Sequence, residues 1–318
     1  MTSPRELLSR HLPRTRLVES ASLADAARIP VRLKLESEMP TGSFKVRGAI
    51  YALSMNAARR AISEVVASST GNHGAAVAYA ARLLGVRATI FLPANPNPVK
   101  RATIARLGAT LVQEGDDLAQ AFQLADAHAR RTGALFLNDA TDPDIPEGAG
   151  TIADEIIEEF QAVDVIYVPV GDTALIRGVA HRAKIVKPSI RVVGVQAARA
   201  PSYWQSWRSG VPTATDSADT IADGLATRTP VAENVDRIRA LVDDMRLVTE
   251  DAMVAAVGRL VMHDHIIAEP SGAATTAAFL NELKQHPGGM KGAVALLVTG
   301  CNIPPTLLRR AIAVAADP

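Results

Sequence analysis

The strongest constraint on this chain is the alternation of short apolar runs with alanine-rich stretches of helical period. Residues 64–69 read as a strand, and 74–84 as a helix stopped by Gly85. Residues 87–92 form the next strand and 99–107 the next helix, stopped by Gly108. The unit repeats with strand 110–113 and helix 116–131, and 133–138 opens another strand. Helix 151–160, strand 163–170, helix 175–187 and strand 190–196 continue the series. Runs apolar on both faces belong in a buried parallel sheet. Their alternation with helices predicts an α/β fold, doubly wound by right-handed crossovers, with helices on both faces of each sheet.

The rhythm breaks twice. Residues 139–147, rich in Asp and Pro, read as a loop at a domain boundary. Residues 197–229 hold both tryptophans and several Pro, Ser and Thr, and read as a long surface excursion. Regular units resume with strand 245–248, helix 250–263 and strand 293–298. At 318 residues the chain has room for two α/β domains.

Charge and cysteine content narrow the function. With 34 Lys and Arg against 33 Asp and Glu, the net charge of +1 offers nothing to neutralise a phosphate backbone, which argues against a nucleic-acid partner. Apolar runs such as 293–298 are far shorter than the roughly 20 residues that cross a bilayer, so no membrane is expected. One cysteine, Cys301, leaves no internal disulfide and no cysteine-based zinc site, which suits a reducing compartment, the cytoplasm. The first 16 residues carry four arginines, but Pro4 and Pro13 interrupt any sustained amphipathic period. They read as a short helix on the domain rather than a transit peptide.

Three motifs fail on context. Gly148-Ala149-Gly150-Thr151-Ile152-Ala153 matches a dinucleotide fingerprint, yet a proline-containing acidic loop precedes it where a strand is required. No Gly-x-x-x-x-Gly-Lys-Ser/Thr sequence exists. His263-Asp264-His265 places two histidines two residues apart on a helix, where they diverge, and reads as a solvated helix end.

Four segments do carry chemistry. Thr41-Gly42-Ser43-Phe44-Lys45-Val46-Arg47-Gly48-Ala49 sets one of only seven lysines in a glycine-flanked turn. A lysine held among apolar groups loses its proton more readily and becomes a nucleophile. Ser68-Ser69-Thr70-Gly71-Asn72-His73-Gly74 lies where a strand gives way to a helix, so backbone N–H groups face outward for an anion. Pro169-Val170-Gly171-Asp172-Thr173-Ala174-Leu175 sits at a second such junction, and Val298-Thr299-Gly300-Cys301-Asn302 ends the last strand. The carboxyl ends of strands form the ligand-binding rim of an open α/β sheet.

The order Ser-Phe-Lys-x-Arg-Gly-Ala, Ser-x-Gly-Asn-His, a glycine-containing loop, Glu-Pro-Ser-Gly and Thr-Gly-x-Asn resembles the fold-type II pyridoxal-phosphate enzymes. Within them it is most similar to the serine/threonine dehydratase and serine racemase group, from Lys34-x-Glu36 through Asn302. The resemblance implies a tryptophan synthase β-like fold, with 1–47 and 140–318 as a large cofactor-binding domain and 48–139 as a small mobile one. It implies pyridoxal 5′-phosphate as cofactor, an amino acid as substrate and a homodimer. By position, Lys45 resembles the Schiff-base lysine and Phe44 the residue beside the pyridine ring. Ser69, Thr70, Gly71, Asn72 and His73 resemble the loop that takes the substrate carboxylate, with Asn72 also reaching the cofactor. Thr70 stands where serine racemase has its opposite-face serine. Gly171, Asp172, Thr173, Ala174 and Leu175 occupy the phosphate loop, Glu269 lies near the ring, and Thr299 resembles the hydroxyl residue at the ring nitrogen.

The implied activity is a dehydratase (ammonia-lyase) acting on threonine, serine or a bulkier β-hydroxy amino acid such as phenylserine. Its rivals are a racemase and a non-catalytic binder. Three departures bear on it. The phosphate loop carries Asp172, which must point away from a phosphate. Ala75 and Ala149 stand where many relatives have glutamine, which implies a roomier and less polar surround if both face the pocket. Gln196 and Ser202 stand where serine racemase has carboxylates for a divalent cation, and hard cations want charged oxygens. Activity is therefore expected to survive chelators. Loss in chelator, restored by magnesium or calcium, would overturn that expectation.

Overall fold

A computed structural model describes residues 2–94, 98–286 and 290–316. In chain order the elements begin with α1 (Pro4–Ser9), β1 (Leu17–Glu19), α2 (Ala21–Ala27), β2 (Val31–Leu35), α3 (Lys45–Arg59), β3 (Glu64–Ser68) and α4 (Asn72–Leu84). Next come β4 (Arg87–Leu92), α5 (Pro98–Arg106), β5 (Thr110–Gln113), α6 (Leu118–Thr132), β6 (Leu135–Phe136), α7 (Asp144–Glu159), β7 (Val163–Pro169) and α8 (Ala174–Val186). The chain ends with β8 (Arg191–Ala197), α9 (Ser202–Ser209), α10 (Ala232–Leu241), β9 (Asp244–Val248), α11 (Glu250–Asp264), α12 (Pro270–Gln285), β10 (Ala293–Val298) and α13 (Pro305–Ala316).

The chain divides into two compact units. Unit 1 comprises Met1–Pro13 and Met39–Ala149, and unit 2 comprises Arg14–Glu38 and Gly150–Pro318. Unit 1 holds a four-stranded sheet ordered β5-β4-β3-β6, parallel throughout. Unit 2 holds a six-stranded sheet ordered β1-β2-β10-β7-β8-β9, in which only β1 runs antiparallel. Unit 1 is wider than the 48–139 segment read from sequence. It includes the start of α3, because a Cβ on Gly48 would stand 2.7 Å from Ile145 Cγ2, and one on Gly148 would stand 2.6 Å from the Arg47 carbonyl oxygen.

Local chemistry explains most elements. In α6, Asp117 caps the start by accepting the Gln120 amide at 2.9 Å, and Gly133 ends the helix at φ 74°. Its alanines at 121, 125 and 129 form the buried stripe that packs on Val66 and Phe91. Two loop expectations change. Residues 144–147 begin α7, with the Asp142 carboxylate accepting the Asp144 amide at 2.9 Å to start it. The excursion 197–229 contains α9, which carries both tryptophans. The glycines at 148 and 150 lie inside α7, away from any strand end, so the dinucleotide reading is excluded by position.

Among the described residues six helices had no helix reading in the sequence: α2, α3, α9, α10, α12 and α13. Residues 270–279 of α12 are all buried, so no polar face marks a period. There Thr275 Oγ1 donates to the Leu297 carbonyl at 3.0 Å. Among the described residues no helix is long and apolar enough to cross a membrane. Helices α11 and α13 meet at Gly258, where a Cβ would lie 2.1 Å from the Ala311 carbonyl oxygen. Gly258→Ala is therefore expected to destabilise unit 2 by about 1–3 kcal/mol through overpacking. A lowered urea midpoint at unchanged slope would show it, and an unchanged midpoint would refute it.

Candidate active site

In unit 1, Lys45 opens a helix rather than lying in a turn. Gly42, at φ 68°, makes the bend before it. Buried Ser43 Oγ then accepts the Lys45 amide at 3.3 Å, and Phe44 occupies the helix cap. Gly48, read as the turn's second flank, is helical and serves close packing. The Lys45 ammonium meets Asp139, with Nζ 2.5 Å from Oδ2, and lies 5.7 Å from the Phe44 ring centroid. His73 Nδ1 lies 3.6 Å from the same carboxylate oxygen. His73 Nε2 is 2.9 Å from the Leu137 carbonyl, which can only accept, so Nε2 carries a proton and Nδ1 faces Asp139.

The segment Ser69, Thr70, Gly71, Asn72 and His73 runs from β3 into α4, as the sequence predicts. Ser69 Oγ accepts the Gly71 amide at 3.2 Å, and Gly71 caps α4 without a side-chain bond. Gly74 lets the helix close over this turn, because a Cβ there would stand 2.6 Å from the Ser69 carbonyl oxygen.

In unit 2, four segments are linked by short contacts. Gly171 follows β7, and a Cβ on it would lie 2.1 Å from the Gly224 carbonyl oxygen. The Gly224 amide donates to Ser271 Oγ at 3.0 Å. The Glu269 amide donates to the Gly300 carbonyl at 2.9 Å, beside Thr299, which is 3% exposed at the end of β10. Thr173 enters α8 at φ 77°, a left-handed conformation that costs a non-glycine residue of order 1–3 kcal/mol. Buried Ala174 and Leu175 follow.

Asp172 bonds to the backbone just ahead of it. Its Oδ1 accepts the Ala174 amide at 2.9 Å, a local Asx turn that draws the carboxylate onto the helix start. Arg177 stands nearby, its Nε donating to Thr173 Oγ1 at 3.1 Å. Burial pulls the Arg177 guanidinium below its ordinary pKa, while the Asp172 carboxylate acts in the opposite sense.

Sequence reasoning missed Asp139, Gly224, Asn234 and Arg177. Asp139 had one usable signal, an acidic residue just past a strand end. Gly224 lies in the excursion that was read as surface, and Asn234, which reaches the Asp172 carbonyl at 3.5 Å, lies on an unassigned helix. Ala75 and Ala149 are buried, at 3% and 1% exposure. Gln196 Oε1 accepts the Trp204 amide and Ser202 Oγ donates to the Thr227 carbonyl, so both are engaged with the backbone.

Residues 8–300 match the family described as pyridoxal-phosphate dependent enzyme. The chain belongs to that family. It is 36% identical to the L-threonine ammonia-lyase of Thermotoga maritima, over 94% of this chain and 74% of that one. It is 31% identical to the catabolic L-threonine dehydratase of Escherichia coli K12, over 94% and 91% of the two chains. Among solved structures, maize serine racemase superimposes with a TM-score of 0.90 at 28% identity, covering 99% of this chain and 96% of that one. Threonine deaminase isoform 2 of Solanum lycopersicum gives 0.92 at 26% identity, covering 97% and 85%.

As in its family, the cofactor of this lyase is pyridoxal 5′-phosphate, and its residues fit that group. The amine of Lys45 is the chemistry an aldehyde needs. Thr173 makes no side-chain bond to the start of α8, whose first-turn amides suit an anion, with Asp172, bonded to the Ala174 amide, the one charge set against it. Cys301, next to this region, donates to the Ser37 carbonyl at 3.4 Å. Burial pushes its thiol pKa up, and the Glu269 carboxylate adds to the shift. Alkylation by iodoacetamide is therefore expected to be slow at neutral pH and to accelerate only above the ordinary thiol range, about 8.5. Rapid stoichiometric labelling at neutral pH, read by mass spectrometry, would contradict this.

Proposed function

We propose that the enzyme removes the β-hydroxyl of a β-hydroxy-α-amino acid as water and releases a 2-oxo acid and ammonia. The observation that carries this reading is Lys45 at the head of α3 with a carboxylate on its amine. The bound cofactor supplies an electron sink that makes the substrate Cα–H acidic. Lys45 Nζ is the base that accepts this proton, and Asp139 then balances the ammonium charge that Lys45 acquires. His73, held by the Leu137 carbonyl, packs beside the same carboxylate, its Nδ1 3.6 Å from Asp139 Oδ2.

The start of α4 offers backbone N–H groups to the substrate carboxylate, with Ser69, Thr70 and Asn72 supplying side-chain hydrogen bonds. Phe44 covers one side of the ring. Residues 171–175 take the phosphate, with Thr173 and backbone amides as donors. Thr299 offers a hydroxyl to the ring nitrogen, and a neutral partner there does not keep the nitrogen protonated. That weaker sink would favour prompt loss of the β-hydroxyl, which would leave as water with a proton from the phosphate group held at residues 171–175. The enamine released by elimination takes up water and gives the 2-oxo acid and ammonia.

Threonine dehydratases among the relatives make threonine and serine the reference substrates for this chain. A cytoplasmic setting, supported by the single cysteine, assembly as a homodimer and mobility of the 48–139 segment belong to the same proposal.

Lys45→Ala is expected to lower 2-oxo acid release by about 10²–10⁴-fold or more, as loss of a general base does. It should also abolish the visible absorption of the cofactor-loaded protein while far-UV circular dichroism stays native. Turnover or colour retained in this variant would overturn the assignment.

A further inference from the structure

Unit 1 contains a cavity of about 560 Å³ whose lining includes Ser68, His73, Leu118, Phe122, Phe136 and Asp139. One wall is polar and reaches Lys45, since Asp139 lies 2.5 Å from its amine. Ser68 Oγ is buried there with no hydrogen-bond partner among the described residues. The other wall is apolar. Leu118 is 47% exposed and Phe122 is 40% exposed, and Phe122 meets Phe136 edge-on at 5.0 Å between centroids.

An apolar concavity with a few convergent polar groups is the usual form of a small-molecule pocket. Half-exposed aromatic and aliphatic side chains around it cost solubility unless something apolar covers them. The contact with Lys45 identifies what does. Asp139, on the polar wall, pairs with the Lys45 amine that takes the Cα proton, which brings the substituent on Cβ within reach of this cavity. A methyl group or a hydrogen, as in threonine or serine, leaves the apolar wall untouched. A second carboxylate, as in 3-hydroxyaspartate, would meet Asp139. An aromatic ring matches the apolar wall that Leu118, Phe122 and Phe136 form.

Building on the reaction proposed above, we propose that this cavity holds the β-substituent of the substrate and makes the enzyme selective for β-hydroxy amino acids with an aryl β-substituent. Phenylserine is the representative. The room comes from the face between α6 and β6, and neither Ala75 nor Ala149 lines it.

The test uses the cofactor-loaded enzyme and two variants on α6. Ala119, which also lines the cavity, is exposed in the first turn of the helix, so Ala119→Trp fills the space from a surface position. Phe122→Ala removes the aromatic wall without adding bulk. For the wild type, kcat/KM for phenylserine is expected to exceed that for threonine by about tenfold or more, the scale of hydrophobic pocket discrimination. Each variant should cut the phenylserine value by about tenfold and leave the threonine value within about twofold.

A second arm needs no turnover. Phenylalanine, which has no β-hydroxyl, should shift the visible band at about tenfold lower concentration than alanine, and Ala119→Trp should erase that difference. Threonine turnover with no preference for phenylserine, and equal binding of phenylalanine and alanine, would overturn the pocket while the lyase reading stands. Tight, variant-sensitive phenylalanine binding with no β-hydroxy amino acid consumed would keep the pocket and reject the lyase reading. Variants that lower both substrates equally, or neither, also overturn the pocket.

Discussion

A lysine with no solvent exposure holds unit 2 together. Lys34, on β2, donates to the Thr15 carbonyl at 2.8 Å and pairs with Glu155 of α7 at 2.5 Å. Thr15 in turn donates through its hydroxyl to Glu36 at 2.6 Å. These contacts join the segment before the chain's passage through unit 1 to the segment after it. A buried pair gains little over an apolar replacement, but losing one partner leaves an uncompensated charge at a cost of about 3–5 kcal/mol. The network therefore acts as a registration device. β2 must lie beside β10, and α7 must return to the same place, before any residue at the strand ends can meet its neighbours.

In each unit the candidate residues lie at the carboxyl ends of parallel strands. β3 leads to Ser69 and His73, β6 to Asp139, β7 to Gly171 and β10 to Thr299. Each strand end is followed by a turn whose backbone groups the next helix leaves unpaired, which is why glycine, serine and threonine gather there. Where a turn is tightest, the fold leaves no room for a side chain, as at Gly171 against Gly224 and Gly74 against Ser69. Where the turn is looser, this chain has moved away from glycine. Thr173 keeps a left-handed backbone, and Asp172 spends its carboxylate on the first amide of α8, with half-buried Arg177 offsetting the charge. Residues 171–177 are thus more polar and more charged than a glycine loop.

Lys45 illustrates how local and distant contacts combine to hold an amine. Its position at the head of α3 comes from local chemistry: the bend at Gly42 and the cap from Ser43. Its partner is supplied by the far end of unit 1, where Asp139 arrives 94 residues later. His73, fixed by the Leu137 carbonyl, closes the arrangement from α4. An amine carried by one helix start, a carboxylate by one strand end and an imidazole by a second helix start form a rigid group, because no long flexible loop supplies any of the three.

Much of this was legible in the chain itself. The alternation of continuous apolar runs with alanine-rich helical stretches located most strands and about half of the helices, since those patterns are properties of consecutive residues. The ordered motifs around Lys45, Asn72, Gly171, Glu269 and Thr299 pointed to the family and its cofactor for the same reason. Only the tertiary structure decided the rest. α12 is buried on every side and shows no period, and α7 starts earlier than its acidic, proline-bearing opening suggests. Asp139 on Lys45, Gly224 under Gly171 and Glu155 on Lys34 join residues tens of positions apart or more. Such contacts are set by how strands and helices stack, a relation that leaves no periodic mark in the order of the amino acids.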